Sequence, residues 1–386
     1  MKILWEYPLG TDEGRSGYRY EGPIHIQGKW LYYVSSHPHL LLHILDQDTG
    51  TGKCRRLFPE NSQLPAHCFL LPVGEDVLLY CGDLIRIRDG EVHRDLPFPG
   101  KGNLVSHLVI GERLYLVFRG LNAALVCVDM TKLHILWETD LRSKPYAAGP
   151  VTVFGDKLAC FGQNQLLYID PETGAVTGSL KLPRIGKLFQ PVDLGDGRLL
   201  LGYTNWTNAG VLCMDTGTKK VLWRHKRSFE GPLLRCCLTV MEDRVFWVKN
   251  DTELCCVRLS DGAELYRRWT DPWLYTPLEL APEGLVFGTA GGTNSFLRCL
   301  DPDTGAERWK IPMQDGCAFY ARREDTIFTG DCSCRLFQIR ASDGEILQTL
   351  DTGTEVVGRF HFHGDSLYTV LWCDDTRPCR LVRVKI

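Results

Sequence analysis

The sequence predicts an all-β chain folded as a single closed β-propeller of four-stranded blades, and three observations lead there. Short runs rich in Val, Leu, Ile, Phe and Tyr alternate with Gly/Asp/Asn turns from end to end, with no sustained helical period. A tight turn recurs at Gly28, Gly74, Gly111, Gly155, Asp196, Glu242, Glu283, Glu324 and Gly364, at intervals of 37 to 46 residues, close to one blade of ~40 to 50 residues. Finally, Ile3-Leu4-Trp5-Glu6 repeats Ile135-Leu136-Trp137-Glu138 although no three strands precede it.

The turns mark the hairpin between the first two strands of each unit and count about nine units, or eight if the short second one near residues 67–98 is a miscount. A chain of 386 residues has room for two or three average domains, but propellers spend this length on one ring, so residues 1–386 read as a single domain. A second landmark marks the hairpin between the third and fourth strands. Asp301-Pro-Asp-Thr304-Gly305-Ala-Glu-Arg-Trp309 is echoed by Asp129 to Trp137 and Asp215 to Trp223 at the same spacing. Variants are Asp170 to Gly174, Asp46 to Gly50, Ser260-Asp261-Gly262 with Tyr266, and Ser342-Asp343-Gly344. Glycine accepts the positive φ such hairpins demand, and the Trp opens the outer strand, where its flat ring can cover the neighbouring unit. The last unit, Gly358 to Ile386, has three strands and no fourth. Residues 1–9 therefore complete it, zipping the ring shut without a long exposed edge.

Cys127, Cys213 and Cys299 each stand two residues before the Asp of that turn, and Cys256 shares the register. A recurring position reads as packing, since a free thiol is a small, readily buried hydrophobe. All sixteen cysteines are expected to be reduced.

The repeat resembles that of the quinoprotein-like, or PQQ-repeat, β-propellers, Ala-x-Asp-x-x-Thr-Gly-x-x-x-Trp, with Cys at the Ala position in several units. The resemblance implies the propeller fold over essentially the whole chain. Its functional implications diverge, because the family includes quinone-dependent dehydrogenases, an outer-membrane assembly lipoprotein, scaffolds and sensor domains. Its members mostly have eight or fewer blades, so a count of nine departs from the pattern. In the dehydrogenases the quinone lies under neighbouring cysteines beside a calcium ion, which singles out Cys236-Cys237 and Cys255-Cys256 for comparison. Both pairs fall within predicted strands, where successive side chains point to opposite faces.

Composition narrows the function. With 44% apolar and 24% charged residues, a net charge of −3 and a pI near 6.4, no global field draws the molecule to nucleic acid or an anionic membrane. No apolar run approaches the length of a spanning helix. Met1 to Pro8 is interrupted by Glu6 and Pro8 and lacks the apolar centre of a signal peptide. A cytoplasmic monomer is expected. No catalytic motif or cofactor fingerprint appears; His37-Pro38-His39 with His43 looks like a ligand cluster but falls in a short loop, where polar residues collect anyway, and Cys332-Ser-Cys334 lacks the Cys-x-x-Cys spacing of redox or zinc sites.

Two sets of candidate residues remain. His25 and His361 share one register on the innermost strands of adjacent blades, with Asp193 and Glu279 at the same place in distant ones. This polar position in otherwise apolar strands is expected to line the central channel. The loops linking successive blades share one face and carry the irregular, aromatic and basic residues: Arg19, Tyr20, Lys101, Arg119, Arg142, Lys144, Tyr146, Arg184, Lys187, Trp206, Trp273 and Tyr275. That face is expected to bind a protein or an anionic small molecule. Basic residues gather in the third to fifth units, while Asp271, Asp315, Asp331, Asp351, Glu355, Asp374 and Asp375 belong to later ones. The opposite face, made of tight turns, is expected to offer little contact area. The reading is thus a binding scaffold without cofactor; the alternative is a quinone- or metal-dependent oxidoreductase working at the channel mouth.

Overall fold

In the computed structural model the described residues are 1–9, 24–35, 40–57, 68–98, 103–141, 149–162, 165–182, 187–188, 191–205, 208–228, 238–249, 252–270, 273–274, 276, 278–291, 294–314, 319–356, 358–372 and 379–386. They form nine antiparallel sheets around an axis, and consecutive strands are neighbours within each sheet. Blades 1 to 8 span residues 24–56, 69–96, 103–140, 151–181, 187–228, 238–269, 273–313 and 320–351. The short second unit is a complete blade, Phe69–Val73, Asp76–Tyr80, Leu84–Arg88 and Glu91–Leu96, which settles the count at nine.

Blade 9 takes three strands from the end of the chain, His361–His363, Ser366–Leu371 and Arg380–Lys385. Its outer strand is Lys2–Pro8, paired antiparallel to the last strand from Lys2↔Lys385 to Pro8↔Arg380. The Arg380 guanidinium, buried at the seam, donates to Glu6 at 2.9 Å and to Thr354 Oγ1 at 2.9 Å. Leu9 N donates to Cys379 O at 2.8 Å.

Each sheet is apolar on both faces because each face meets another blade. The core is accordingly divided into nine clusters, one at every junction including that of blades 9 and 1, where Leu31, Tyr33, Tyr368 and Leu381 are buried together.

One contact joins blades five times. The Asp of the third hairpin folds its turn by accepting hydrogen bonds: in blade 7 Asp301 Oδ1 accepts from Asp303 N, Thr304 N and Thr304 Oγ1 at 2.9, 2.9 and 3.0 Å. Asp46 and Asp170 do the same. The turn closes with Gly305 N donating to Asp301 O. Against that glycine lies the ring from the preceding blade's outer strand: Trp5 on Gly50, Trp137 on Gly174, Trp223 on Gly262, Tyr266 on Gly305 and Trp309 on Gly344. A Cβ at any of the five would stand 2.5 to 2.9 Å from ring carbon. Each ring also donates to a carbonyl of the same turn, as Trp5 Nε1 does to Gln47 O at 2.9 Å and Trp223 Nε1 to Leu259 O at 2.8 Å.

Blades 3 and 5 provide the contrast, since blade 2 offers no such ring and blade 4 has Gly178 at the ring position. Their turns keep a positive φ but carry Leu133 (54°) and Lys219 (59°). Leu133 fills the space with its own buried side chain, whereas Lys219 stands exposed. In blades 6 and 8 the turn Asp is replaced by Arg258 and Arg340, which pair with Asp261 and Asp343 at 2.8 and 3.0 Å.

Two stability measurements follow. Deleting residues 1–9 removes an outer strand and the Trp5 contact and should cost about 3 kcal/mol or more; an unchanged melting temperature with a monomeric product would refute closure. Gly174→Ala forces both strained φ and a clash with Trp137 and should cost about 2 to 4 kcal/mol, whereas Lys219→Gly at the same turn position should be neutral or stabilising by about 0.5 to 1 kcal/mol. Thermal melts of the two variants distinguish ring contact from turn geometry.

Candidate functional site

The innermost strands present an edge to the axis, and pairing with the second strand fixes what each residue faces. His25 pairs with Tyr32, Glu279 with Val286 and His361 with Tyr368. The equivalent pair in blade 5 is Val192 with Leu200, while Asp193 pairs with Leu199. Asp193 is thus one residue out of the expected register and lies against Tyr168 of blade 4, whose phenol its charge raises after burial. The cause is a longer turn: Leu194 N bonds Arg198 O across Gly195, Asp196 and Gly197, and one added residue flips a strand side chain to the other face.

His25 and His361 come within electrostatic reach of each other but face different junctions: His361 shares the face of Tyr368, in the core of blades 9 and 1, and His25 that of Tyr32, in the core of blades 1 and 2. Burial lowers both from the ordinary histidine range, and each is lowered further by a neighbouring histidine, His363 for His25, and His25 and His363 for His361. Gln27 holds the His25 ring, at 3.4 Å. Glu279 sits apart at the junction of blades 7 and 8. There burial raises its carboxyl, opposed by Arg322 and a hydrogen bond from Tyr320, and Arg322 is committed to Glu283 at 2.8 Å. The four channel candidates therefore occupy three separate places, and no metal-holding group of His, Cys, Asp or Glu occurs among the described residues.

Of the loop candidates, Arg119 is exposed at the end of a blade 3 strand, paired with Asn103. Lys187 and Trp273 lie in two-residue strands, Lys187–Leu188 and Trp273–Leu274, which pair with the second strands of blades 5 and 7. Their backbones belong to the sheets, where the sequence suggested free loops. Arg19, Tyr20, Lys101, Arg142, Lys144, Tyr146, Arg184, Trp206 and Tyr275 lie outside the described residues.

Two clefts that the sequence did not reveal open on the tight-turn face, at the junctions of blades 3 and 4 and of blades 2 and 3, with volumes of about 450 and 410 Å³. Both are bounded by arginines reaching the next blade. Arg113 donates to Pro171 O at 3.0 Å and pairs with Glu172, and Arg86 donates to Met130 O at 3.0 Å. Asp76, buried beneath Arg86 and Arg88 at 2.9 and 2.5 Å, is raised by burial, but the two arginines outweigh this and hold its carboxyl below the usual range. The sequence signal was an Arg recurring in the strands beside these hairpins.

The cysteine register is packing. Cys127, Cys213, Cys256 and Cys299 are buried and pair across the ladder with Trp137, Trp223, Tyr266 and Trp309. Burial pushes the Cys127 and Cys256 thiols up to about 11 and Cys299 to about 12, so they stay protonated and unreactive. Cys255 and Cys256 point into different junctions, blades 5/6 and 6/7 respectively. This pair does not fit a quinone cradle, which needs both sulfurs on one side; Cys236 and Cys237 lie outside the described residues.

His43 is deeply buried at the ring's closing seam. It is 1% exposed, packs against Tyr7 and Tyr33, pairs with Cys54 and bonds Ser35 Oγ at 2.9 Å, leaving Nδ1 without a partner. Burial lowers its pKa to about 4.

Fold and repeat together are similar to those of the PQQ-type quinoprotein β-propellers. Residues 121–270 match the family model described as outer membrane protein assembly factor BamB. BamB from Moraxella catarrhalis is 13% identical with a TM-score of 0.54, covering 82% of this chain and 96% of its own. Quinohemoprotein alcohol dehydrogenase from Comamonas testosteroni is 13% identical with a TM-score of 0.54, covering 99% of this chain and 76% of its own. The computationally designed Ika8 protein is 11% identical over the full length of both chains, with a TM-score of 0.50. A search of curated proteins returned no sequence match. At these identities the solved structures establish the fold alone.

The seam histidines set a pH dependence. A neutral His43 is favoured by the fold, so its contribution is complete above about pH 6.5 and is lost as pH falls toward about 4. This is a loss on the order of 3 kcal/mol, and His25 and His361 act in the same direction. Denaturant melts between pH 7 and 4.5 should show that decline, and His43→Met with Ser35→Ala should flatten it; an unaltered pH profile would remove His43 from the account.

Proposed function

We propose that the chain is a non-catalytic binding propeller, a monomeric scaffold of the reducing cytoplasm that holds a protein or an anionic small molecule on its loop-rich face. The observation carrying this reading is the use made of the reactive side chains. The register cysteines are protonated packing groups, Cys255 and Cys256 lie in different cores, and the ionisable inner-strand residues are spread over separate junctions. The repeat's aromatic, acidic and basic groups hold blade to blade rather than converge on a reacting atom. The match of residues 121–270 to a family model named for an assembly factor supports the same reading.

Arg142, Lys144 and Arg184, from the segments entering blades 4 and 5, and Lys187, in the short strand that follows, are the residues on which this proposal depends. Their simultaneous reversal to Glu should weaken partner binding most at low salt; unchanged binding at both low and high salt by a folded variant removes them from the interface. Absorption spectra and metal analysis of protein purified from its native host test the class itself, and a stoichiometric quinone or metal would replace the scaffold reading with the oxidoreductase one.

A further inference from the structure

The outer strand of every blade ends its sheet, leaving one row of backbone donors and acceptors with no strand beyond it. In an isolated protein such edges are guarded by brevity, proline or charge. Blade 7 has Pro312 in its outer strand, and that of blade 1 has five residues, with Lys53 tied to Glu91. Blade 5 differs. Its outer strand, Lys220–Ser228, has nine residues and is the longest strand of the described chain. It carries Lys220, Arg224, Lys226 and Arg227, follows Lys219, and contains no carboxylate. Lys219, Lys220 and Arg224 are exposed, and between them Val221 and Leu222 are 38% and 49% exposed. Arg224 lies over the Tyr203 ring and His225 meets Glu264 at 3.1 Å, so neither cancels the charge of the lysines.

A long basic edge, continuous from Trp223 to Ser228 beyond a bulge at Leu222, repels a second copy of itself and accepts a strand of opposite charge. The partly exposed aliphatic pair adds the apolar contact that an alternating peptide needs. We propose that the outer edge of blade 5, Lys220–Ser228, receives an extended acidic segment of a protein partner as a fifth strand. This deepens the scaffold reading and rests on it: the partner is held by backbone pairing, and specificity comes from carboxylates placed along the lysine-rich edge.

The probe is a fluorescent nine-residue peptide alternating Glu and Val, titrated into the full-length protein at low salt and followed by anisotropy. Three controls accompany it: the Lys-Val counterpart, the Glu-Val peptide N-methylated at alternate residues, and the protein carrying Lys220→Glu with Lys226→Glu, which retains Arg224 on Tyr203. Binding of the Glu-Val peptide alone, about tenfold weakened by the double reversal and abolished by N-methylation, with slowed amide exchange confined to residues 220–228, is the expected result. Binding that survives N-methylation reveals charge attraction without strand addition and overturns the proposal, as does protection elsewhere or no binding at all. Native partners that bind the double variant normally would sink this site while leaving the scaffold function standing, whereas a resident quinone would do the reverse.

Discussion

The ring depends on an aromatic side chain lying flat against the α-carbon of the next blade's hairpin. This contact explains several features of the repeat at once. The hairpin must turn with positive φ, and its glycine must also lack a Cβ because ring carbon occupies that space. The Asp shapes the hairpin so that its carbonyl meets the indole N–H, and the small Cys opposite the ring leaves room on the same face. The exceptions obey the same constraint. Where no ring arrives, as at Leu133 and Lys219, the glycine is dispensable although the φ remains positive. Burial of a large aromatic stabilises by about 1.5 to 3 kcal/mol, so five such contacts, spread around the circle, matter more to the assembly than the surface ion pairs beside them.

Most of the architecture was legible because it repeats. A single Trp or Gly means little, but Trp309, Trp223 and Trp137 at one spacing from an Asp define a register, and an orphaned Trp5 at the start then identifies a missing strand. The candidate site was less legible, since it depends on where a chain stands within a blade by one residue. Asp193 looked like a channel-lining residue in the register of His25 until the longer turn through Gly195 to Gly197 shifted its face, and Lys187 and Trp273 looked like loop residues although their backbones extend the sheets. The clefts beside Arg86 and Arg113 arise from side chains crossing between blades, a relation that linear spacing does not express.

The chemistry left over by packing is sparse and local. His361 and His43 lie at the one junction that the two ends of the chain close, and His25 stands beside it on the inner strand of blade 1, so the ring's acid sensitivity is concentrated around its fastening. The edge proposed for recognition lies elsewhere, on the outer strand of blade 5. On that proposal stability and recognition fall in different sectors of the same circle, and a change in one need not disturb the other.

The pairing of Lys2 with Lys385 also bears on the order of events during folding. Eight blades are built from neighbours within about 50 residues and can form as their own segments become available. Blade 9 joins positions more than 370 residues apart, as the bond between Glu6 and Arg380 shows. The entropy of closing so long a loop grows only slowly with length, by about 0.6 kcal/mol per doubling, so the delay lies in sequence rather than in cost. Until the final strand arrives, Trp5 and the face of blade 1 have no complete partner. The chain therefore spends its synthesis as an open arc with two unsatisfied faces, a state in which quality-control factors or a second open arc could meet it before the circle exists.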